Sequence, residues 1–143
     1  MKKTAAMSAD SVSAAAPSAV AESIGVLLRE HKGGNVLVLD LREMNGWTDC
    51  FVIATAASTT HMDGMERHIK DFCREREIEI LRRSRKPAAE DDEWRLIDLG
   101  PVVIHLMSER TRSFYELERL YSDARELINP AHSSKSSKSP SSS

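Results

Sequence analysis

The chain has 143 residues, 41% of them apolar but only 5% aromatic, with a net charge of −2, which bounds it to about one domain with an aliphatic core. Ala, Ser and Lys dominate 1–17, and Ser and Lys dominate 130–143; both segments bury too little apolar surface to offset the entropy of ordering, so one folded domain is expected over 18–129 between two disordered tails. The tails carry +3 and leave −5 on the domain, which argues against a protein that rides on nucleic-acid phosphates and favours a basic protein as partner.

Ser18 is the expected cap of a first helix running to about Lys32, with Val20, Ile24, Leu27 and Leu28 on one side and Gly33-Gly34 as its left-handed stop. Residues 36–41 form an apolar run without alternation, as does 49–54, so each reads as a strand covered on both faces. The Asn45-Gly46 pair between them makes a hairpin the simplest link. Ser58 caps a second helix to about Glu77, whose inner stripe is Met62, Met65, Ile69, Phe72 and Cys73.

Alternation of charged residues with Ile78 and Ile80 predicts a half-exposed strand over 77–82, followed by a polar loop over 84–92. A hairpin spans 94–107 with Gly100-Pro101 at its bend; Trp94, Leu96 and Asp98 share one face, and Arg95, Ile97 and Leu99 the other. Ser108 caps a last helix with the stripe Phe114, Leu117, Tyr121, Ala124 and Ile128, ended by Pro130. Arg112–Glu116 and Arg119–Asp123 would pair along its outer side. The order α-β-β-α-β-β-β-α predicts an α/β single domain, a mixed five-stranded sheet flanked by helices.

Candidate chemistry is sparse. Ser58 and His61 offer a nucleophile and a base, but no acid is placed to orient the imidazole, so a cap and a surface histidine is the stronger reading. His105 stands on an apolar strand, and His31, His68 and His132 do not fall at ligand spacing from it; a hydrogen-bonded core histidine is expected, and no metal. Asp40 and Asp49 end and begin adjacent strands and could approach each other, yet a Gly-Ser phosphate loop is missing from the pattern that magnesium-dependent nucleotidyl transfer uses. Arg82, Arg83, Arg85 and Lys86 form the basic patch of the domain, read first as a solvated loop edge and second as a weak contact to RNA. Trp94 and Tyr115 are the large aromatics least committed to a core, with an interface role and a packing role about equally weighted for Trp94. Cys50 and Cys73 fall in apolar runs and are expected as reduced, buried thiols. With no continuous apolar stretch for export or for a bilayer, a soluble cytoplasmic protein is expected, without membrane contact.

Four motifs in order resemble one family. The run from Leu39 to Thr55 places Asp40, Trp47 and Asp49-Cys50-Phe51-Val52-Ile53; Ser58 to His61 gives Ser-x-x-His; Trp94 to His105 and then Arg112, Phe114, Tyr115, Glu116, Leu117, Glu118 and Leu120 complete the set. These are similar to the signatures of the ribosomal silencing factor, or Iojap, family, over nearly all of 20–128. The resemblance implies a nucleotidyltransferase-like fold without the active site, no enzyme activity and no cofactor. It further implies binding to the large ribosomal subunit through its basic fourteenth protein (uL-fourteen type). The small subunit is thereby blocked sterically, and translation is repressed when nutrients are short. By the same resemblance Trp94, Leu96, Asp98, Tyr115 and Glu118 would contact the partner. The chain departs from the family pattern at Cys50, Leu99, Pro101 and Tyr121, where Tyr, Tyr, Asp and Trp are usual, and it lacks a glycine before Trp94. A nucleotidyltransferase-like enzyme and a dimeric adaptor in large-subunit biogenesis are the alternatives. A homodimer of the free protein and a weak ribosomal-RNA contact by the basic loop or tails stay open.

Overall fold

The computed structural model describes residues 16–44, 48–85 and 93–128, with backbone alone at 83–85. Both expected tails, apart from Ala16 and Pro17, lie outside the described residues, as do Asn45-Gly46, Trp47 and Lys86. Helix α1 (Pro17–Glu30) opens with Pro17 in its first turn rather than with Ser18 as a cap. The missing proline N–H is harmless there, because no first-turn N–H has an intrahelical acceptor. The left-handed residue that ends α1 is Lys32 (φ 71°), not a glycine. Gly33 serves differently: its N–H donates to Leu28 O at 2.7 Å, and a Cβ there would meet that oxygen at 2.9 Å.

Strand β1 (Gly34–Asp40) is followed by a 3-10 turn (Arg42–Met44) and β2 (Cys50–Ala56), and the two strands pair antiparallel as expected. Helix α2 (Thr59–Glu75) carries Ser58 as its cap, the side-chain oxygen accepting from His61 N–H. The next strand, β3, lies at Arg82–Arg85, overlapping the expected 77–82 stretch only at Arg82, with its start five and its end three residues later. Ile78 alternates because it packs into the core as the chain leaves α2, whereas the ladder forms where Arg82 to Arg85 meet the free edge of β4. Strands β4 (Trp94–Asp98) and β5 (Val102–Ser108) form the expected hairpin around Gly100, whose φ is 94°.

The final segment departs furthest from expectation. Helix α3 (Glu109–Tyr115) stops at Glu116 in the left-handed region, a single turn α4 (Leu117–Leu120) follows, and β6 (Arg125–Ile128) then pairs antiparallel with β1. One continuous helix would leave the outer edge of β1 with unpaired backbone groups, an exposure that β6 removes. The expected i,i+4 ion pairs are replaced by Arg112–Glu118 at 3.2 Å and Arg119–Glu116 at 2.6 Å.

The mixed sheet therefore contains the five expected strands and one more at its edge, in the order β3-β4-β5-β2-β1-β6, with β2 and β5 parallel. Helices α1 and α2 cover one face through Ile24, Leu28, Met62, Met65 and Ile69, against Val38, Val52, Ile97 and Ile104. The other face, with Leu39, Phe51, Ile53, Trp94, Leu96 and Met107, is covered by the shorter α3–α4 segment and the turn after it through Leu117 and Ala124, with Tyr115 and Tyr121 beside them. Cys50 and Cys73 are buried and unpaired. Among the described residues no helix is long and apolar enough to cross a membrane.

Candidate partner-binding face

The thinly covered face is where the expected contact residues gather. Trp94, at the start of β4, is only 7% exposed and packs under the α3–α4 segment. Its indole N–H donates to Nδ1 of His105 on β5 at 3.1 Å, so His105 is the hydrogen-bonded core histidine that its apolar strand suggested. Trp94 thus packs in the core of the domain, as the packing role weighed for it expects. A large ring on an inward-facing β4 position is buried because the hairpin sits under α3.

Leu96 is buried one pleat further along the same face. Asp98 is buried too, accepting from Gly100 N–H at 2.8 Å and from Arg82 Nη2 at 3.0 Å. It therefore ties the Gly100-Pro101 bend to β3. Tyr115 and Glu118 are half-buried. Glu118 accepts from Arg112 Nε at 3.2 Å.

Arg112 is the side chain that positions this segment. It is 7% exposed, and its Nη1 donates to Thr55 Oγ1 at 2.9 Å and approaches Gly34 O at 3.4 Å. Burial pushes its guanidinium pKa down, while Glu118 opposes that shift. A second brace sits at the other end of α3. Glu93 accepts from Ser108 Oγ at 2.7 Å, from Thr111 Oγ1 at 2.9 Å and from Arg110. Those three donors, Ser108 first, hold its carboxyl down at about 2. Glu93 carries no role in the sequence reading; the signal that could have singled it out is the Ser-Glu-Arg-Thr run at 108–111, a helix start needing an acceptor.

The residue that sequence reasoning missed is Phe114. Placed in the core stripe, it is instead 78% exposed, with Leu120 at 70%. The break at Glu116 keeps Leu117 on the sheet and turns the residues around it outward. Phe114 meets Tyr115 edge-on with centroids 4.9 Å apart, and Tyr115 lies 4.9 Å from Trp94. Three aromatic rings thus run from solvent into the core. Beside them a groove of about 710 Å³ is lined by Glu109, Glu116, Glu118 and Glu126 against Arg112 and Arg119.

The other candidate groups brace the fold. His61 Nδ1 accepts from Ala57 N–H at 2.9 Å, leaving Nε2–H to donate to His31 O at 2.9 Å; both ring nitrogens join α2 to neighbouring backbone. Asp40 receives a two-pronged contact from Arg42, at 2.9 and 2.7 Å, which holds its carboxyl below the usual range. Arg95, buried under α2, contacts Asp63 at 2.6 Å and Glu66 at 3.0 Å.

These features define a single α/β domain with one sheet face sealed by two long helices and the other capped by a short, aromatic and acid-rimmed segment. The family model for the ribosomal silencing factor during starvation matches residues 13–143. The chain is 33% identical over 108 residues to the ribosomal silencing factor of Treponema pallidum, covering 76% of this chain and 91% of that one. It is 31% identical over 112 residues to the chloroplastic protein Iojap of Arabidopsis thaliana, covering 78% of this chain but 45% of the plant protein, so it spans under half that relative's length. A solved structure from Chromobacterium violaceum shares the fold at a TM-score of 0.64 and 21% identity, covering 82% of this chain and 96% of that one. One from Bacillus halodurans gives 0.60 at 27% identity, covering 75% and 95%. The chain belongs to the ribosomal silencing factor family.

Proposed function

We propose that this protein represses translation by binding the large ribosomal subunit through a basic protein of the uL-fourteen type and excluding the small subunit sterically, without catalysing a reaction. The observation that carries the reading, beside family membership, is the exposed Phe114 packed on Tyr115, which in turn lies on Trp94, with the carboxylate-lined groove on the same segment. An aromatic already held in place loses little entropy on docking, and an acidic rim complements a basic partner. Tyr115 and Glu118 belong to the contact surface in this reading. Trp94, Leu96 and Asp98 act from beneath, holding the hairpin and the rings above it. The groups weighed for catalysis fit the same reading, since Ser58 caps a helix and Asp40 is engaged by Arg42.

Co-sedimentation with isolated large subunits, followed by addition of small subunits, tests the proposal. The protein should pellet with large subunits and reduce joining in proportion to its occupancy. Phe114→Ala should weaken binding by about 1–3 kcal/mol, as truncating an anchor does, with the circular dichroism spectrum unchanged. Joining that proceeds unhindered at full occupancy would refute steric exclusion.

A further inference from the structure

The acidic groove described above lies beside β1 and β6, at one edge of the sheet. At the opposite edge the charge reverses. A groove of about 890 Å³ runs between α2 and β3, and among the described residues Lys70, Arg74, Arg82 and Arg95 line it against one carboxylate, that of Glu66. Arg95 is buried and spent on Asp63 and Glu66. The other cations face solvent: Lys70 is exposed, and the side chains of Arg74 and Arg82 are 73% and 66% exposed. Arg74 contacts Asp71 at 2.7 Å and Arg82 contacts Asp98 at 3.0 Å. Each guanidinium uses one nitrogen in these pairs; the Arg74–Asp71 pair is exposed and weak enough to yield to a stronger acceptor, whereas Arg82 stays on the buried Asp98 and offers its remaining N–H groups to solvent. Arg83 and Arg85 continue β3, and β3 is the last strand at this edge. A domain of net charge −5 thus keeps a cationic border opposite its acidic one.

We infer that this border is a second contact surface, taking the phosphate backbone of structured RNA while the aromatic face engages protein. Phosphate fits better than an acidic peptide for two reasons. Three exposed cations, Lys70 and Arg74 on α2 and Arg82 on β3, face one groove and match successive single charges, and guanidinium forks bind phosphate oxygens bidentately. Among the described residues the groove wall offers Ile80 and Leu81 but no aromatic ring, so they provide no stacking platform of the kind that reads unpaired bases. The contact is therefore with the backbone and independent of base sequence. On the ribosome-binding reading its source is ribosomal RNA beside the docking protein; the inference rests on that reading for the source alone.

The test compares the full chain with a Lys70→Gln/Arg74→Gln/Arg82→Gln variant and with a charge-preserving Lys70→Arg/Arg74→Lys/Arg82→Lys variant. A short RNA duplex and intact large subunits serve as separate probes over a range of salt. Wild type should bind the duplex weakly, and each phosphate contact removed should lower the slope of log affinity against log salt by about 1. On large subunits the Gln variant should lose affinity while the charge-preserving one retains it. Equal duplex binding and equal slopes for wild type and the Gln variant would overturn the inference. So would charge-dependent binding of a polyglutamate peptide with none to RNA. Failure of wild type to pellet with large subunits, while it binds the duplex in a charge-dependent way, would instead count against the ribosomal reading and leave the RNA-binding border standing.

Discussion

Trp94 and His105 meet diagonally across the β4–β5 ladder, where Trp94 pairs with Met107 and Leu96 with His105, the indole N–H donating to imidazole Nδ1 at 3.1 Å. The pair sits beneath Tyr115, so the ring nearest the proposed contact surface rests on a hydrogen-bonded core group. Trp94→Ala is therefore expected to destabilise the domain by about 3–5 kcal/mol, the cost of emptying a large buried aromatic site. Trp94→Phe keeps a ring but withdraws the donor to Nδ1 and should cost about 1–3 kcal/mol. Denaturant titrations of the two variants measure both effects. An unchanged midpoint for Trp94→Ala would show that the ring is not core.

Arg112 should be harder to replace than its position on a short surface helix suggests. Arg112→Met keeps the aliphatic stem but strands Thr55 Oγ1 and the Glu118 carboxylate, partners at 2.9 and 3.2 Å. Because Glu118 is still half exposed to water, the loss should be about 2–3 kcal/mol, below that for a fully buried pair. Hydrogen exchange should quicken first in α3 and α4, with protection of β2 and β5 retained.

Gly25 is set by close approach rather than by backbone conformation. A Cβ there would stand 2.7 Å from Val38 Cγ2 and 3.0 Å from Ile128 Cδ1. Alanine would improve helix propensity by about 1 kcal/mol, but overpacking at a buried contact costs about 1–3 kcal/mol. Gly25→Ala should be net destabilising, with the loss centred on the α1–β1–β6 contact. A raised thermal midpoint would mean that α1 can slide outward at no cost.

Cys50 and Cys73 should be inert in the native domain. Burial, reinforced at Cys50 by Asp40 and Asp49, pushes the two thiols up to about 12 and about 11, so almost no thiolate exists near neutral pH. A water-soluble disulfide reagent should modify neither until denaturant is added, and then both. Modification of the folded protein at the rate of an unstructured thiol peptide would contradict their burial.

The periodic parts of the chain were legible as sequence. The stripes of α1 and α2 and the continuous apolar runs of β1 and β2 follow from which faces need covering. The hairpin with its Gly100-Pro101 bend was equally plain. The last segment was not legible, because its break is unmarked. Glu116 takes φ 49° with neither glycine nor proline nearby in the segment. It does so because Arg112 must reach Glu118 and Thr55 while Leu117 stays on the sheet. Those are long-range conditions that a helical pattern of apolar residues cannot express, so Phe114 read as core and the sixth strand was missed. The same limit applied to Trp94: its alternation named the face it occupies, but not the thickness of what covers it.

Glu93 predicts how the domain responds to acid. Its carboxyl, ordinarily near 4.5, is held at about 2 by Ser108, Arg110 and Thr111. Above about 4.5 the group is ionised whether the chain is folded or not, and its full contribution to stability is present. As pH falls from there toward about 2, the unfolded chain takes up a proton before the folded one, so the contribution drains away. Asp40, depressed by Arg42, acts in the same direction. Thermal midpoints of wild type and Glu93→Gln should differ most near neutral pH, and the gap should close as pH drops through this window. A gap that stays constant down to about 2 would mean that Glu93 acts through shape rather than charge. The site of first loosening is equally specific. Glu93 joins the start of β4 to the first turn of α3 through Ser108 and Thr111, so acid should free α3, and with it Phe114, before the α1–α2 face. Near-ultraviolet dichroism of Trp94 and Tyr115 should therefore fall ahead of the far-ultraviolet helix signal.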